Sequence, residues 1–514
     1  MPILTRLVNQ VLSKRLSAID FFRKNPHMVQ QRQFEYLVRT LSHTLYGKQY
    51  NVGREMTFLE FQKRLPVVTY DELSPFIERV RRGEPGVLWD TPVRWFAKSS
   101  GTTADKSKFI PVTSTYLHHC HFRGPKDVLA LFTRNYPKSD IFSGKTLTLG
   151  GSHRLDMQEG SGAHSGDLSA IMIQNTPWYA SFNRAPSLKV ALTADFETKV
   201  RMICEETTRQ NITSFAGVPS WNMVLLNEIL KYTGKDNICE VWKNMELFIH
   251  GGVSFVPYRE QYKRLIPSPD MKYMETYNAS EGFFSIQDIP ERDDMLLMLD
   301  YEIFYEFLPM EYLECPEKAV PLEDVQCGVN YAVIISSSAG LWRYMIGDTV
   351  IFTSTDPYRI KITGRTKHYI NAFGEEVIVD NADRAIHEAC RQTGAVIRDY
   401  TVAPVYMNED AKGAHQWIIE FEKKPDNAER FNTVLDKTLQ NVNSDYEAKR
   451  TRNTTLYPPQ IIYAPQGLFY EWMKERGKLG GQNKIPRLAN NRKYVDELLC
   501  IIERLGSDKQ ALKN

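Results

Sequence analysis

Apolar residues recur at helical spacing along the start of the chain: Leu4, Leu7, Val8, Val11 and Leu12, then Phe34, Leu37, Val38, Leu41 and Leu45. That stripe predicts amphipathic helices, and covering a sheet is the commonest reason for such a face. Thr57-x-x-Glu60 and Thr69-x-x-Glu72 have capping-box form, in which hydroxyl and carboxylate satisfy free N–H groups at a helix start. The second of these helices is expected to stop near Gly83 and Pro85. From Asp90 onward the period changes. β-type runs at Thr146–Leu149, Ile212–Phe215, Leu247–Ile249, Tyr273–Tyr277, Ala332–Ser336 and Val350–Thr353 alternate with helical stretches such as Glu197–Arg209 and Trp221–Leu230. The alternation predicts an α/β fold with ligands at loops beyond the carboxyl ends of strands. After Gly364-Arg365 the pattern restarts as a smaller α+β unit, with a helix over Asn381–Gln392, strands at Tyr400–Tyr406 and Gln416–Phe421, and a helix over Ala428–Asn441. The expectation is two domains, residues 1–365 and 366–514.

Length supports that division, because 514 residues exceed one compact core. With 42% hydrophobic and 25% charged residues, the composition is that of an ordinary globular protein. A formal net charge of +2 lacks the basic excess of a nucleic-acid-binding protein. The run Arg79, Arg81, Arg82 reads as a solvated helix face. Seven cysteines (Cys120, Cys204, Cys239, Cys315, Cys327, Cys390, Cys500) are scattered singly without a CxxC, which suits reduced thiols. Arg6, Lys14 and Arg15 interrupt the apolar start, and no run reaches membrane-spanning length. The expectation is a cytoplasmic protein with no stable membrane association, no nucleic acid and no obligate protein partner.

Candidate chemistry begins at Ala97–Pro111. Ser99, Ser100, Thr102 and Thr103 flank Gly101, and Lys106 and Lys108 follow before an apolar segment. Glycine lets backbone N–H groups approach an anion, hydroxyls add donors, and lysines add charge. This is equipment for a polyphosphate, and equally that of a polar surface turn. Tyr277-Asn278-Ala279-Ser280-Glu281-Gly282 follows a predicted strand. An aromatic can stack on a purine there, and one carboxylate suffices for Mg²⁺ that is also held by phosphate oxygens. The bland reading is a strand-to-helix turn with Glu281 at the helix N-terminus. In Trp342–Val350, the Gly347-Asp348 pair is either a turn or a carboxylate for ribose hydroxyls. Gly364-Arg365-Thr366-Lys367 offers an arginine fork, or a charged β-turn. Gly477–Arg487 holds Lys484 in a glycine-rich stretch, where a mobile lysine can neutralise charge on a reacting phosphate.

Other motifs fail. Gly144-Lys145-Thr146 has a P-loop tail, but the required first glycine falls on Ser139. His118, His119, Cys120 and His121 are neighbours on a helical stretch and point in different directions, so they make a poor metal site. No GxSxG supports a hydrolase. Arg123 reads as a surface arginine, with a substrate carboxylate as the alternative partner.

The order of the segments is that of adenylate-forming enzymes, the superfamily of acyl-CoA synthetases, luciferases and peptide-synthetase adenylation domains. Within it the chain most closely resembles the plant auxin-responsive (Gretchen Hagen) acyl acid amido synthetases and their bacterial relatives. The resemblance rests on Ser99-Ser100-Gly101-Thr102-Thr103, Tyr277 through Gly282, Tyr344 through Asp348, and Lys484-Ile485-Pro486-Arg487, and extends over nearly the whole chain. It implies a large N-terminal α/β domain of adenylate-forming type with a helical cover, and a smaller mobile C-terminal α+β lid.

The implied roles are specific. Ser99 through Thr103 would form the phosphate loop, and Gly251, Gly252 and Val253 would line the adenine pocket. Tyr277 would flank the adenine, Ser280 would lie near the α-phosphate, and Glu281 would hold Mg²⁺. Asp348 would bind the ribose with help from Arg365, and Lys484 would reach the α-phosphate. The implied activity is an ATP-dependent ligase: a carboxylic acid becomes an acyl-adenylate with release of pyrophosphate, and the acyl group passes to an amine, an amino acid in this family. His368 at the hinge and Asn371-Ala372-Phe373-Gly374, which lacks the lysine of CoA ligases, depart from the superfamily pattern. The alternatives are an acyl-CoA ligase sharing the first step and a non-catalytic nucleotide-binding protein of the same fold.

Overall fold

The computed structural model describes residues 3–99, 108–150, 156–157, 162–176, 182–193, 195–252, 255, 258–366, 369–407, 412–476 and 485–511. They form two compact units, the first from Met1–Ser99, Lys108–Gly252 and Tyr262–Thr366, the second chiefly from Lys367–Asn514.

The first unit begins with the helices Ile3–Lys24 and Pro26–Leu41. Pro26 stands in the first helical turn, where its missing N–H costs nothing. Phe34, Leu37, Val38 and Leu41 are buried, as the stripe requires. Both capping boxes form. The Glu60 carboxylate accepts from Thr57 N–H at 2.9 Å and starts Phe58–Arg64; that of Glu72 accepts from Thr69 N–H at 2.7 Å and starts Tyr70–Arg81.

These helices cover a twelve-stranded mixed sheet. Five strands, Arg184–Ala185, Lys145–Thr148, Ile212–Gly217, Leu247–Gly251 and Lys272–Ala279, run parallel in that order. The sheet continues antiparallel through Gly282–Ile286, Met295–Leu297, Tyr358–Arg365, Leu341–Thr355, Asn330–Ser337, Ile303–Pro309 and Val320–Pro321. Lys272–Ala279 is therefore the strand where parallel pairing gives way to antiparallel pairing. The fold is α/β, and the observed strands contain or overlap every β-type run read above. Helices Phe196–Thr207 and Pro219–Thr233 fall between parallel strands as expected. A separate four-stranded sheet includes Trp95–Ser99 antiparallel to Lys108–Val112.

One buried ion pair fastens the helical cover to the sheet. The Arg343 guanidinium pairs with Glu306 at 2.7 Å and also donates to the carbonyls of Gln62 at 3.1 Å and Leu65 at 2.6 Å. On either side, Val68 N–H donates to the Arg343 carbonyl and Met345 N–H to that of Val68. Arg343 has φ of +43°, a left-handed backbone that a non-glycine residue keeps only when its surroundings hold it there.

The second unit is α+β. Helices Val379–Thr393 and Ala428–Val442 lie against one another, and Val396–Val405, Ala414–Lys423 and Gln460–Ala464 form a three-stranded sheet. Leu468–Glu475 and Lys493–Ala511 complete it around Leu468, Trp472, Val495 and Leu498.

Candidate active site

The site is built where pairing changes direction. Tyr277 lies near the carboxyl end of Lys272–Ala279, and Ser280 and Glu281 form the turn into Gly282–Ile286. The segment is thus a β-hairpin, not a strand-to-helix turn, and no helix N-terminus lies at Glu281. A tyrosine fixes this turn: the Tyr116 hydroxyl donates to the Glu281 carbonyl at 2.6 Å. Gly282 is required there, since a Cβ would sit 2.3 Å from that hydroxyl oxygen.

Asp348 reaches the same place from far along the sheet. Its strand bulges: Ala332 pairs with Thr349 and Ile334 with Met345, so one intervening residue faces three. Gly347 supplies the left-handed φ of +93° that this bulge uses. Asp348 lies within the bulge and, on the other edge of its strand, pairs in register with Arg365; the Arg365 Nε lies 2.7 Å from Asp348 Oδ1. The Tyr277 hydroxyl donates to Asp348 Oδ2 at 2.6 Å. Tyr277 and Asp348 stand on strands four steps apart in the hydrogen-bonding order, about 19 Å in a flat sheet. A tyrosine side chain cannot span that, so the antiparallel half is strongly curled around this point.

Glu281 is only 6% exposed. Burial pushes its carboxyl above the usual range; Lys108 and Arg365 oppose the shift, while the Asp348 charge adds to it. Among the described residues no side chain hydrogen-bonds this carboxylate. A buried carboxylate with free lone pairs can be one ligand of a divalent cation shared with phosphate oxygens, and the nearby cations suit the phosphates. Burial, with Asp348 next, raises the Tyr277 phenol well above its usual value, so it remains a donor.

Gly251 closes Leu247–Gly251 and pairs with Thr276, the neighbour of Tyr277, and Gly252 follows in left-handed backbone at φ +81°. Ser99 ends its strand opposite Lys108. The structure thus brings Tyr277, Ser280, Glu281, Asp348 and Arg365 together, with Gly251 and Gly252 on the adjacent strand and turn. Ser100, Gly101, Thr102, Thr103, Val253, His368 and Lys484 lie outside the described residues.

Sequence reasoning missed Tyr116, which locks the turn, and Tyr70, whose hydroxyl accepts from Phe109 N–H at 2.9 Å beside Lys108. Single tyrosines on helices carry no spacing signal. Arg123 is neither a plain surface residue nor free: it donates to the Asp300 carbonyl at 2.8 Å. The histidine run forms no metal site among the described residues; His119 pairs with Glu302, and His121 is buried against Tyr116.

Models of one protein family match most of the chain. The GH3 family N-terminal domain matches residues 15–271, its central domain 296–365 and its C-terminal domain 380–493. The 4-substituted benzoates-glutamate ligase GH3.12 of Arabidopsis thaliana is 21% identical, over 97% of this chain and 99% of its own length. The indole-3-acetic acid-amido synthetase GH3.4 of the same plant is 22% identical, over 93% and 92%. Among solved structures, the AtGH3.15 acyl acid amido synthetase in complex with 2,4-DB superposes with a TM-score of 0.60 at 18% identity, covering 94% of this chain and 95% of that one. A 2-hydroxyisobutyryl-CoA ligase shares the fold at a TM-score of 0.55 and 13% identity, over 93% and 92%.

The chain shares the fold of adenylate-forming ligases. The chain belongs to the GH3 family of acyl acid amido synthetases, whose reaction is ATP-dependent acyl adenylation followed by amide ligation. Among the described residues no helix is long and apolar enough to cross a membrane.

Proposed function

We propose that this chain joins a small carboxylic acid to an amino acid in the cytoplasm, using Mg·ATP bound at the curled end of the sheet. The observation that carries this reading is Asp348, held by Tyr277 on one oxygen and Arg365 on the other, beside the buried Glu281. A carboxylate has about four lone-pair positions, so Asp348 keeps acceptors for the two ribose hydroxyls. Tyr277 flanks the base while it holds Asp348, and Gly251, Gly252 and Val253 line the same pocket. Glu281 is the protein ligand of Mg²⁺, and Ser280 lies near the α-phosphate. Ser99, Ser100, Gly101, Thr102 and Thr103 wrap the phosphate chain.

In the first step the acid's carboxylate oxygen attacks the α-phosphorus and pyrophosphate leaves. That step needs charge neutralised more than protons moved, and Lys484, on the mobile C-terminal lid of residues 366–514, supplies a cation at the α-phosphate. In the second step the amine attacks the acyl carbon, AMP leaves, and the amine's proton is lost. Mg²⁺ contributes Lewis-acid stabilisation of the phosphate oxygens. The family match favours an amine acceptor over CoA; the shared CoA-ligase fold does not distinguish them.

Acid-dependent exchange of pyrophosphate into ATP tests the first step. The panel begins with benzoates and indole-3-acetic acid, the acids in the relatives' names, and continues with amino acids or CoA as acceptors. Exchange with no acid in the panel, together with ATP binding, would favour the non-catalytic alternative.

A further inference from the structure

Lys199 lies on the helix Phe196–Thr207 and is only 2% exposed. Lysines are seldom buried this deeply, because an ammonium loses its hydration unless partners replace it. The amine donates to the Gly150 carbonyl at 3.0 Å. Burial pushes it down to about 8, and the charge of Asp167 opposes that shift. A methionine would fill much the same space without burying a charge, so the amine is there for its contacts.

Those contacts come from different sheets. Gly150 follows the strand Lys145–Thr148 of the twelve-stranded sheet. Asp167 follows His164–Gly166 of the four-stranded sheet and opens the helix Leu168–Gln174, whose start its side chain does not cap. His164–Gly166 runs parallel to Trp95–Ser99, with Gly166 opposite Ala97, and the helix packs against that same strand. The helix also lies directly on Gly150, where a Cβ would sit 2.7 Å from Ile173 Cδ1. Lys199 therefore stands at a junction of the two sheets. One of them carries Gly251 and Tyr277, and the other carries Ser99 at the end of its strand. On the reading that Ser99 opens the phosphate loop of an ATP site, we propose that Lys199 is a positioning residue. Its ammonium, bonded to the Gly150 carbonyl and attracted by the Asp167 carboxylate, sets the four-stranded sheet against the large one and so places Ser99 for the phosphate chain.

Two variants open the junction from its two ends. Lys199→Met keeps the length of the side chain and removes the charge, and Asp167→Asn removes the opposing charge and leaves the amine. Binding of Mg·ATP and of AMP is measured by calorimetry on the full chain. Both variants should bind Mg·ATP about 10-fold more weakly, the scale of one misplaced hydrogen bond to a charged group. Both should bind AMP as the wild type does, because Tyr277 and Asp348 on the large sheet hold its base and ribose. The double variant should lose no more than the worse single one, since both changes act on one junction. If Lys199→Met does not fold, Asp167→Asn, at a half-buried position, still gives the comparison of ATP with AMP. Unchanged Mg·ATP affinity would overturn the assignment. So would an equal loss for AMP, which would make the junction a general support of the fold. Failure of the wild type itself to bind Mg·ATP would instead sink the nucleotide reading of the site, and the Lys199 assignment with it.

Discussion

Tyr277 and Asp348, 71 positions apart, are joined by a 2.6 Å hydrogen bond that ties the hairpin strand to the bulged one. With Arg365 on its other oxygen, the Asp348 carboxylate is fixed before any ligand arrives. Asp348→Ala should therefore raise the KM for ATP in pyrophosphate exchange. Loss of hydrogen bonds to a charged group is worth about 1.5–3 kcal/mol, or roughly 10- to 150-fold. Tyr277→Phe removes only one support and should give a smaller rise. The wild type should discriminate against 2′-deoxy-ATP; indifference to it, with a normal Asp348→Ala variant, would reduce Asp348 to a bulge residue.

Glu281 is buried at the expense of the folded state. Its carboxyl lies above the ordinary value, so its contribution to stability is greatest when protonated, below the unfolded value of 4.5. That contribution is lost as pH rises through the raised folded value. At neutral pH, Glu281→Gln should melt higher than the wild type without ligand, while losing Mg²⁺-dependent exchange. A variant that melts lower and keeps its metal dependence would remove Glu281 from the metal site.

His121 carries the opposite sign. Burial depresses its imidazole from 6.5 to about 3, so the folded state holds it neutral. Stability from this group is present above 6.5 and is lost as pH falls toward about 3, because the unfolded chain takes up the proton first. His121→Phe keeps a ring against Tyr116 and should flatten the fall of melting temperature with acid over that window. Parallel curves for variant and wild type would contradict it.

Arg343→Leu should be among the most destabilising single changes in the first unit. It strands the buried Glu306 charge and frees the carbonyls of Gln62 and Leu65. Breaking one side of a buried pair costs about 3–5 kcal/mol. Denaturant unfolding measures it, and the double variant Arg343→Leu/Glu306→Leu should recover part of the loss.

The α/β class, the helical cover and the helix starts were legible in the sequence because each has a local signature. The strands Gly282–Ile286, Met295–Leu297 and Ile303–Pro309 were not. Nearly every residue in them is buried, so the period-two alternation that marks a half-exposed strand is absent. For the same reason the bland alternative for Ser280–Glu281, a strand-to-helix turn, missed the hairpin. Asp348 and Arg365 could be named from their motifs, but not paired, because their partnership depends on cross-strand register and a bulge. Tyr116 and Tyr70 act through contacts between residues far apart in the chain, which no local stretch encodes by itself.

Lys484→Ala is expected to separate the two half-reactions. In the proposed mechanism it meets the α-phosphate from the C-terminal lid, while Asp348, Glu281 and the phosphate loop hold the nucleotide without it. Lys484→Ala should leave ATP affinity nearly unchanged. Adenylation gathers negative charge around the α-phosphorus in its transition state, and removing one preorganised contact to such charge lowers a rate by about 100-fold or more. Amide formation from presynthesised acyl-adenylate starts after that charge has been dispersed, so it should suffer less. Measuring pyrophosphate exchange and acyl transfer separately on the purified variant distinguishes the steps. Equal loss in both would mean that Lys484 supports the lid in general, and normal exchange would place it outside the site.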